Sequence, residues 1–104
     1  MEILNGVLKE ELERLKKLKK HYEQEISKLP KGCLIKKKIK GHLYYYLNYR
    51  QGKKGIFKYV GKLNEEKLAK LEKKINERRK LGKLAIQVKR DIAKLEKIAH
   101  GKKE

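Results

Sequence analysis

Apolar residues recur at alternating spacings of three and four from Leu8 through Leu12, Leu15, Tyr22 and Ile26 to Leu29. Leu18 sits beside the one polar position of that seam, Lys19. The rhythm predicts an amphipathic helix over residues 3–29, with the heptad seam of a coiled coil. Glu10, Glu11 and Glu13 come early and the lysines later, an order that suits the helix dipole. Pro30 stops the helix, because the residue before a proline avoids the right-handed helical region. A second helical rhythm runs through Leu68, Leu71 and Ile75, then Leu81, Ala85, Val88, Ile92, Leu95 and Ala99. It predicts a helix over 64–100, with Asn64 as its cap and Glu65 and Glu66 in its first turn. The phase slips near Leu81-Gly82, so a stutter, bend or short break is expected there. His100-Gly101 should close the helix, leaving Lys102-Lys103-Glu104 as a frayed tail.

Between the helices the period changes. Gly41 and Gly52 divide the stretch into three predicted strands, Cys33–Ile39, Leu43–Arg50 and Lys53–Val60, rich in β-branched and aromatic residues. A two-residue turn at Gln51-Gly52 would set Leu47 opposite Ile56 and Leu43 opposite Val60, and Gly61 would close the sheet. A three-residue turn at Lys40-Gly41-His42 would add Ile35 and Ile39 to that aliphatic face. A two-residue turn there would place Lys36 and Lys38 on it instead, so burial favours the longer turn. The opposite face then carries Lys36, Lys38, Tyr44, Tyr46, Asn48, Arg50, Lys53, Phe57 and Tyr59, turned to solvent. The expected architecture is a single α+β domain over residues 1–104. It consists of a long helix, a three-stranded antiparallel sheet and a longer helix, the helices paired as an antiparallel coiled-coil hairpin. The second helix outruns the first, and its surplus seam suggests a homodimer through the helices.

Charge sharpens this picture. The chain has 104 residues, 31 Lys+Arg against 13 Asp+Glu, and a net charge of +18. Such an excess favours polyanionic partners over a lone compact monomer. The charge is also unevenly placed. Lys31–Lys62 contains no Asp or Glu, yet holds ten basic residues, five of the six tyrosines and the only Phe. Charged content of 42% against 38% hydrophobic suits a chain that buries a seam more easily than a ball. The lysine bias, with no Thr or Trp, fits a heat-adapted or AT-rich source. A single cysteine, Cys33, allows no internal disulfide and suits a reducing compartment. No apolar run approaches the roughly 18 residues of a membrane span, and the N-terminus lacks the order of a signal peptide. A cytoplasmic protein is expected, nucleoid-associated if it binds DNA.

The chemistry of the middle stretch points to nucleic acid. Lys36, Lys38, Lys40, Lys53 and Lys54 would displace counterions from phosphates. Tyr44, Tyr46, Phe57 and Tyr59 could stack on unpaired bases, and Arg50 could pair bidentately with guanine, with Asn48 on the same face. The competing possibility is that the aromatics merely cover the sheet or form a dimer core, with the lysines solvated. Complete absence of acids favours the anion-binding reading, since both helices scatter Glu among their lysines. Lys16-Lys17, Lys19-Lys20 and Arg78-Arg79-Lys80 read as solvated helix faces. A membrane surface is a poor partner, because the apolar stripes are narrow and lack Trp and Phe. His21, His42 and His100 are far apart, so no metal or other cofactor is expected. Cys33 reads as a small buried apolar residue. Gly52-Lys53-Lys54-Gly55 lacks the spacing of a phosphate-binding loop. With one Asp and one Ser a catalytic set is hard to assemble, so neither an enzyme nor a small-molecule substrate is expected. The leading expectation is sequence-tolerant nucleic-acid binding, DNA ahead of structured RNA. The alternatives are an RNA- or ribosome-associated factor, and a coiled-coil module that grips and regulates a protein partner.

Leu29-Pro30-Lys31-Gly32-Cys33-Leu34, Gly41-His42-Leu43-Tyr44-Tyr45-Tyr46-Leu47-Asn48-Tyr49-Arg50-Gln51-Gly52-Lys53-Lys54 and Lys58-Tyr59-Val60-Gly61-Lys62 together resemble a widespread group of small uncharacterised prokaryotic proteins. That group combines a helix, an L-P-x-G-S-L lead-in, a Tyr-rich hairpin and a long charged helix. Cys33 stands here where Ser is usual, and the extra Cys pairs of some relatives are missing, so the resemblance implies no metal site. It implies the fold and adds little on function. More distantly, the basic three-stranded sheet is similar in shape to the arm-type DNA-binding domains of tyrosine integrases.

Overall fold

The structure, a computed structural model, describes residues 2–100. Gly101 and the expected frayed tail Lys102-Lys103-Glu104 lie outside the described residues. Along the chain run α1 (Glu2–Ser27), β1 (Cys33–Ile39), β2 (His42–Gln51), β3 (Lys54–Gly61) and α2 (Glu65–Ala99). Each boundary falls within one or two residues of the expected one, and the fold is α+β. No described helix is long and apolar enough to cross a membrane. The described residues form two compact units, one built from α1 with α2 from Lys80 on, the other from Leu29–Arg79.

In the helical unit Leu12 and Leu15 of α1 are buried, as are Ala85 and Val88 of α2. Lys16 reaches Glu96 across the seam at 3.5 Å, and Lys19 pairs with Glu23 at 3.0 Å. Arg14 donates twice to Glu11, at 2.8 and 2.7 Å, and those hydrogen bonds hold the Glu11 carboxyl below its ordinary pKa. This pair is largely exposed and screened by solvent. Its small contribution is present above the ordinary glutamate pKa and fades as pH falls through the depressed one. The phase slip produces no break, for α2 is one continuous helix. Gly82, Ala85 and Val88 follow at two successive spacings of three and are all at least partly covered.

In the sheet-bearing unit the strand order is β1-β2-β3, antiparallel throughout. Both hairpins turn differently from the expectation. Ile39 pairs with His42, so the first turn has two residues, Lys40 and Gly41, with φ of 50° and 82°. Two positive φ values in succession are the type I′ pattern, whose twist matches that of the strands. The longer Lys40-Gly41-His42 turn is thus corrected, and β1 is turned over relative to β2. Leu34 lies opposite Leu47, Lys36 opposite Tyr45 and Lys38 opposite Leu43, while Ile35 lies opposite Tyr46 and Lys37 opposite Tyr44. Burial does not forbid this, because Lys36, Lys38 and Leu43 all remain exposed. That end of the hairpin is uncovered, so its lysines reach water from the underside.

The second turn is Gly52-Lys53, since Gln51 pairs with Lys54. Gly52 at φ 64° supplies the positive first position of a type II′ turn. Leu47 therefore faces Lys58, and Tyr49 faces Ile56, in place of the expected Leu47–Ile56 and Leu43–Val60 pairs. Because β3 shifts by two relative to β2, its faces are unchanged. Beyond Tyr46–Tyr59 the register slips at a bulge, and Tyr45 pairs with Gly61. Lysines on both edge strands, Lys36–Lys38 and Lys54 with Lys58, oppose edge-to-edge aggregation.

The underside buries Tyr45 and Leu47, and Ile75 of α2 is buried in the same unit. Leu34, Lys36 and Tyr45 share a shallow depression with Leu68 and Glu72 of α2, which fixes that face as the one toward the helix. Asn64 caps α2, its Oδ1 accepting from Lys67 N at 2.7 Å. Asn64→Ala should cost about 1 kcal/mol of stability, read as a lower midpoint in urea unfolding followed by circular dichroism; an unchanged midpoint would remove the cap from the list of stabilising contacts.

Candidate nucleic-acid interface

The outward face of the sheet is set by β2. Alternation along Leu43–Arg50 sends Tyr45 and Leu47 inward and Tyr44, Tyr46, Asn48 and Arg50 outward. From β3, Phe57 lies opposite Asn48 and Tyr59 opposite Tyr46. Phe57 and Tyr59 are 56% and 57% exposed, high values for large rings on a sheet. Tyr59 is the centre of the cluster. Its ring centroid lies 5.3 Å from that of Tyr46 and 6.3 Å from that of Tyr44, both tilted. Such edge-leaning contacts fix ring orientation, leaving Tyr59 exposed while Tyr44 and Tyr46 are half-buried.

Two ammonium groups hover over this cluster. Lys37 Nζ stands 5.2 Å from the Tyr46 centroid and 5.4 Å from that of Phe57, and Lys62 Nζ stands 5.6 Å from that of Tyr44. Each contact is weak at an exposed site, on the order of 0.5–1 kcal/mol, so a better anionic partner can draw the ammonium away. Arg50 stands exposed at the far end of β2.

Six of the eleven sequence-derived site residues thus share the outward face: Tyr44, Tyr46, Asn48, Arg50, Phe57 and Tyr59. Five do not. Lys36 and Lys38 are on the underside because of the shorter first turn. Lys54, paired with Gln51, is also on the underside, and Lys40 and Lys53 occupy the two turns. Lys37 and Lys62 are the cations that sequence reading missed. Lys37 was hidden by the register. Lys62 lies past the last strand, where alternation no longer assigns a face. Ile35 and Ile39 join the outward face by register, and Ile39 is 45% exposed. The platform is consequently less basic and more apolar than expected.

The lead-in to the sheet is tightly held. Gly32 has φ 92°, and a Cβ placed on it would collide with the backbone carbonyl oxygen of Asn48. Arg78 donates to the Leu29 carbonyl at 3.0 Å, and Arg79 to Cys33 Sγ at 3.3 Å. These helix arginines engage the start of the sheet. Cys33 itself is exposed, which corrects its reading as a buried apolar residue: it opens the edge strand β1. Lys31 extends over the Tyr49 ring at 5.8 Å.

No curated protein and no solved structure matches the chain. Residues 8–70, most of α1 with the whole sheet and the start of α2, match the family described as a domain of unknown function, DUF6788, and the chain belongs to that family.

Proposed function

We propose that the chain is a non-enzymatic, sequence-tolerant nucleic-acid-binding protein that uses the outward face of its sheet as the platform and DNA as its polymer. What carries this reading is one juxtaposition: the clustered rings of Tyr44, Tyr46 and Tyr59 with Phe57 joined through Lys37, Phe57 and Tyr59 exposed and the other two half-buried, on a face with Lys37, Lys62 and Arg50 within a stretch that holds no acid. Cations fix the phosphate backbone and carry no sequence information, while rings offer sequence-tolerant stacking. The coiled-coil character of the helix pair and the likeness in shape of the sheet to integrase arm domains belong to the same proposal. A protein-interaction module has its own support, because Leu84, Ile86 and Ile98 of α2 are exposed.

The test is retention on immobilised DNA against salt. A chain of charge +18 clings to any polyanion, so the comparison is between two triple variants of equal charge. Lys37→Glu, Lys62→Glu and Arg50→Glu together should release the protein at much lower salt than Lys73→Glu, Lys83→Glu and Lys94→Glu together. Equal elution of the two variants would reduce the reading to bulk charge and defeat it.

A further inference from the structure

Resting on the platform reading above, we infer that the outward face takes a single strand of nucleic acid with unpaired bases and does not dock a duplex. The register decides this. With Lys36 and Lys38 turned to the underside, the cations bordering the ring cluster are Lys37, Lys62 and Arg50, while Ile35 and Ile39 stand where two lysines were expected. A duplex offers mainly phosphates and groove edges, and specific duplex binders neutralise several phosphates at once. Its base faces are closed inside the stack, and reaching them requires unstacking. A single strand presents those faces freely. The rings match that chemistry. Phe57 is 56% exposed and has no polar atom to offer to a groove edge, so beyond the cation already over it, an apolar surface or a flat π-system is the partner that rewards it. Tyr59 is exposed beside it in sequence register, with Tyr46 and Tyr44 continuing the cluster across β2. Lys37 and Lys62 sit over ring faces from which they can move to a phosphate, uncovering the ring as the backbone arrives. A base then stacks where the ammonium was. Unpaired bases occur in DNA and in RNA, and the two are separated by the experiment.

The experiment uses the full chain and fluorescence anisotropy with labelled dT20, rU20 and a 20-base-pair duplex at two salt concentrations. The better single strand should bind at least about tenfold tighter than the duplex, and the tighter of dT20 and rU20 names the sugar. Its salt slope should be shallow, about −2, for three cations at roughly 0.7 each. Phe57→Ala and Tyr59→Ala should each weaken single-strand binding about tenfold or more, within the range seen for stacking residues, and leave duplex binding unchanged. Phe57→Leu keeps apolar area without a flat ring and should weaken binding as Phe57→Ala does, whereas Phe57→Trp should retain it. Because the chain has no Trp, tyrosine emission is directly readable and should be quenched by the single strand. Duplex affinity equal to or above that of both single strands would overturn the inference while leaving nucleic-acid binding standing. Full binding by Phe57→Leu would also overturn it, by showing an apolar contact in place of stacking. No binding to any of the three polymers would remove both readings together.

Discussion

Gly32→Ala is expected to lower stability by about 3 kcal/mol, the sum of a backbone held in a left-handed conformation and an overlap that cannot relax. At φ 92° an L-residue is already strained. The added Cβ would also meet the Asn48 carbonyl oxygen, with the Asn48 carbonyl carbon and Tyr49 Cβ both at 2.9 Å. These are backbone and near-backbone atoms of the central strand, so no side chain can swing aside. Thermal melting should show a fall of roughly 10 °C or more for a unit of this size. Gly52→Ala is the matched control. Its φ of 64° has the same sign, but nothing lies within 4 Å of the added carbon. It should cost about 1 kcal/mol. A Gly32→Ala melt indistinguishable from that of Gly52→Ala would mean that the lead-in does not press on β2.

Three neighbouring lysines give the second large effect. Lys37→Glu should weaken nucleic-acid binding about tenfold or more, whereas Lys36→Glu and Lys38→Glu should each change it by less than about threefold. All three substitutions alter net charge identically. They differ in direction: Lys37 stands over the Tyr46 and Phe57 rings, while Lys36 and Lys38 share the face of Tyr45 and Leu43. At physiological salt the Debye length is about 8 Å, so a charge on the far side of the sheet is largely screened from a ligand on the near side. Anisotropy titrations near 150 mM salt separate the cases. Equal losses at all three positions would mean that the ligand feels total charge and that the outward face is not its seat.

The first hairpin shows why such neighbours are hard to tell apart beforehand. A two-residue and a three-residue turn around Gly41 differ by one residue of register, and one residue moves every side chain of β1 to the other face. By pattern alone Lys36 and Lys38 argue against the shorter turn, since a buried lysine is costly. That cost applies only where something covers the strand. Leu43 is 42% exposed and Lys38 is exposed beside it, so the hairpin end carries no such penalty. With burial neutral, turn geometry prevailed: Lys40 accepts a left-handed φ of 50° so that Lys40-Gly41 can follow the twist of the strands.

The sequence by itself determined the order helix, three strands, helix, the element ends to within one or two residues, the Asn64 cap, and the outward display of Tyr44, Tyr46, Phe57 and Tyr59. All of these follow from local periodicity and from strong punctuation by Pro30, Gly41, Gly52 and Gly61. The tertiary structure alone decided which lysines stand beside the rings, that Ile35 and Ile39 join them, and that α2 passes Gly82 unbroken. Each of those depends on what covers a residue from a distant part of the chain. A pattern of period two cannot report whether a helix reaches far enough to bury the end of a hairpin.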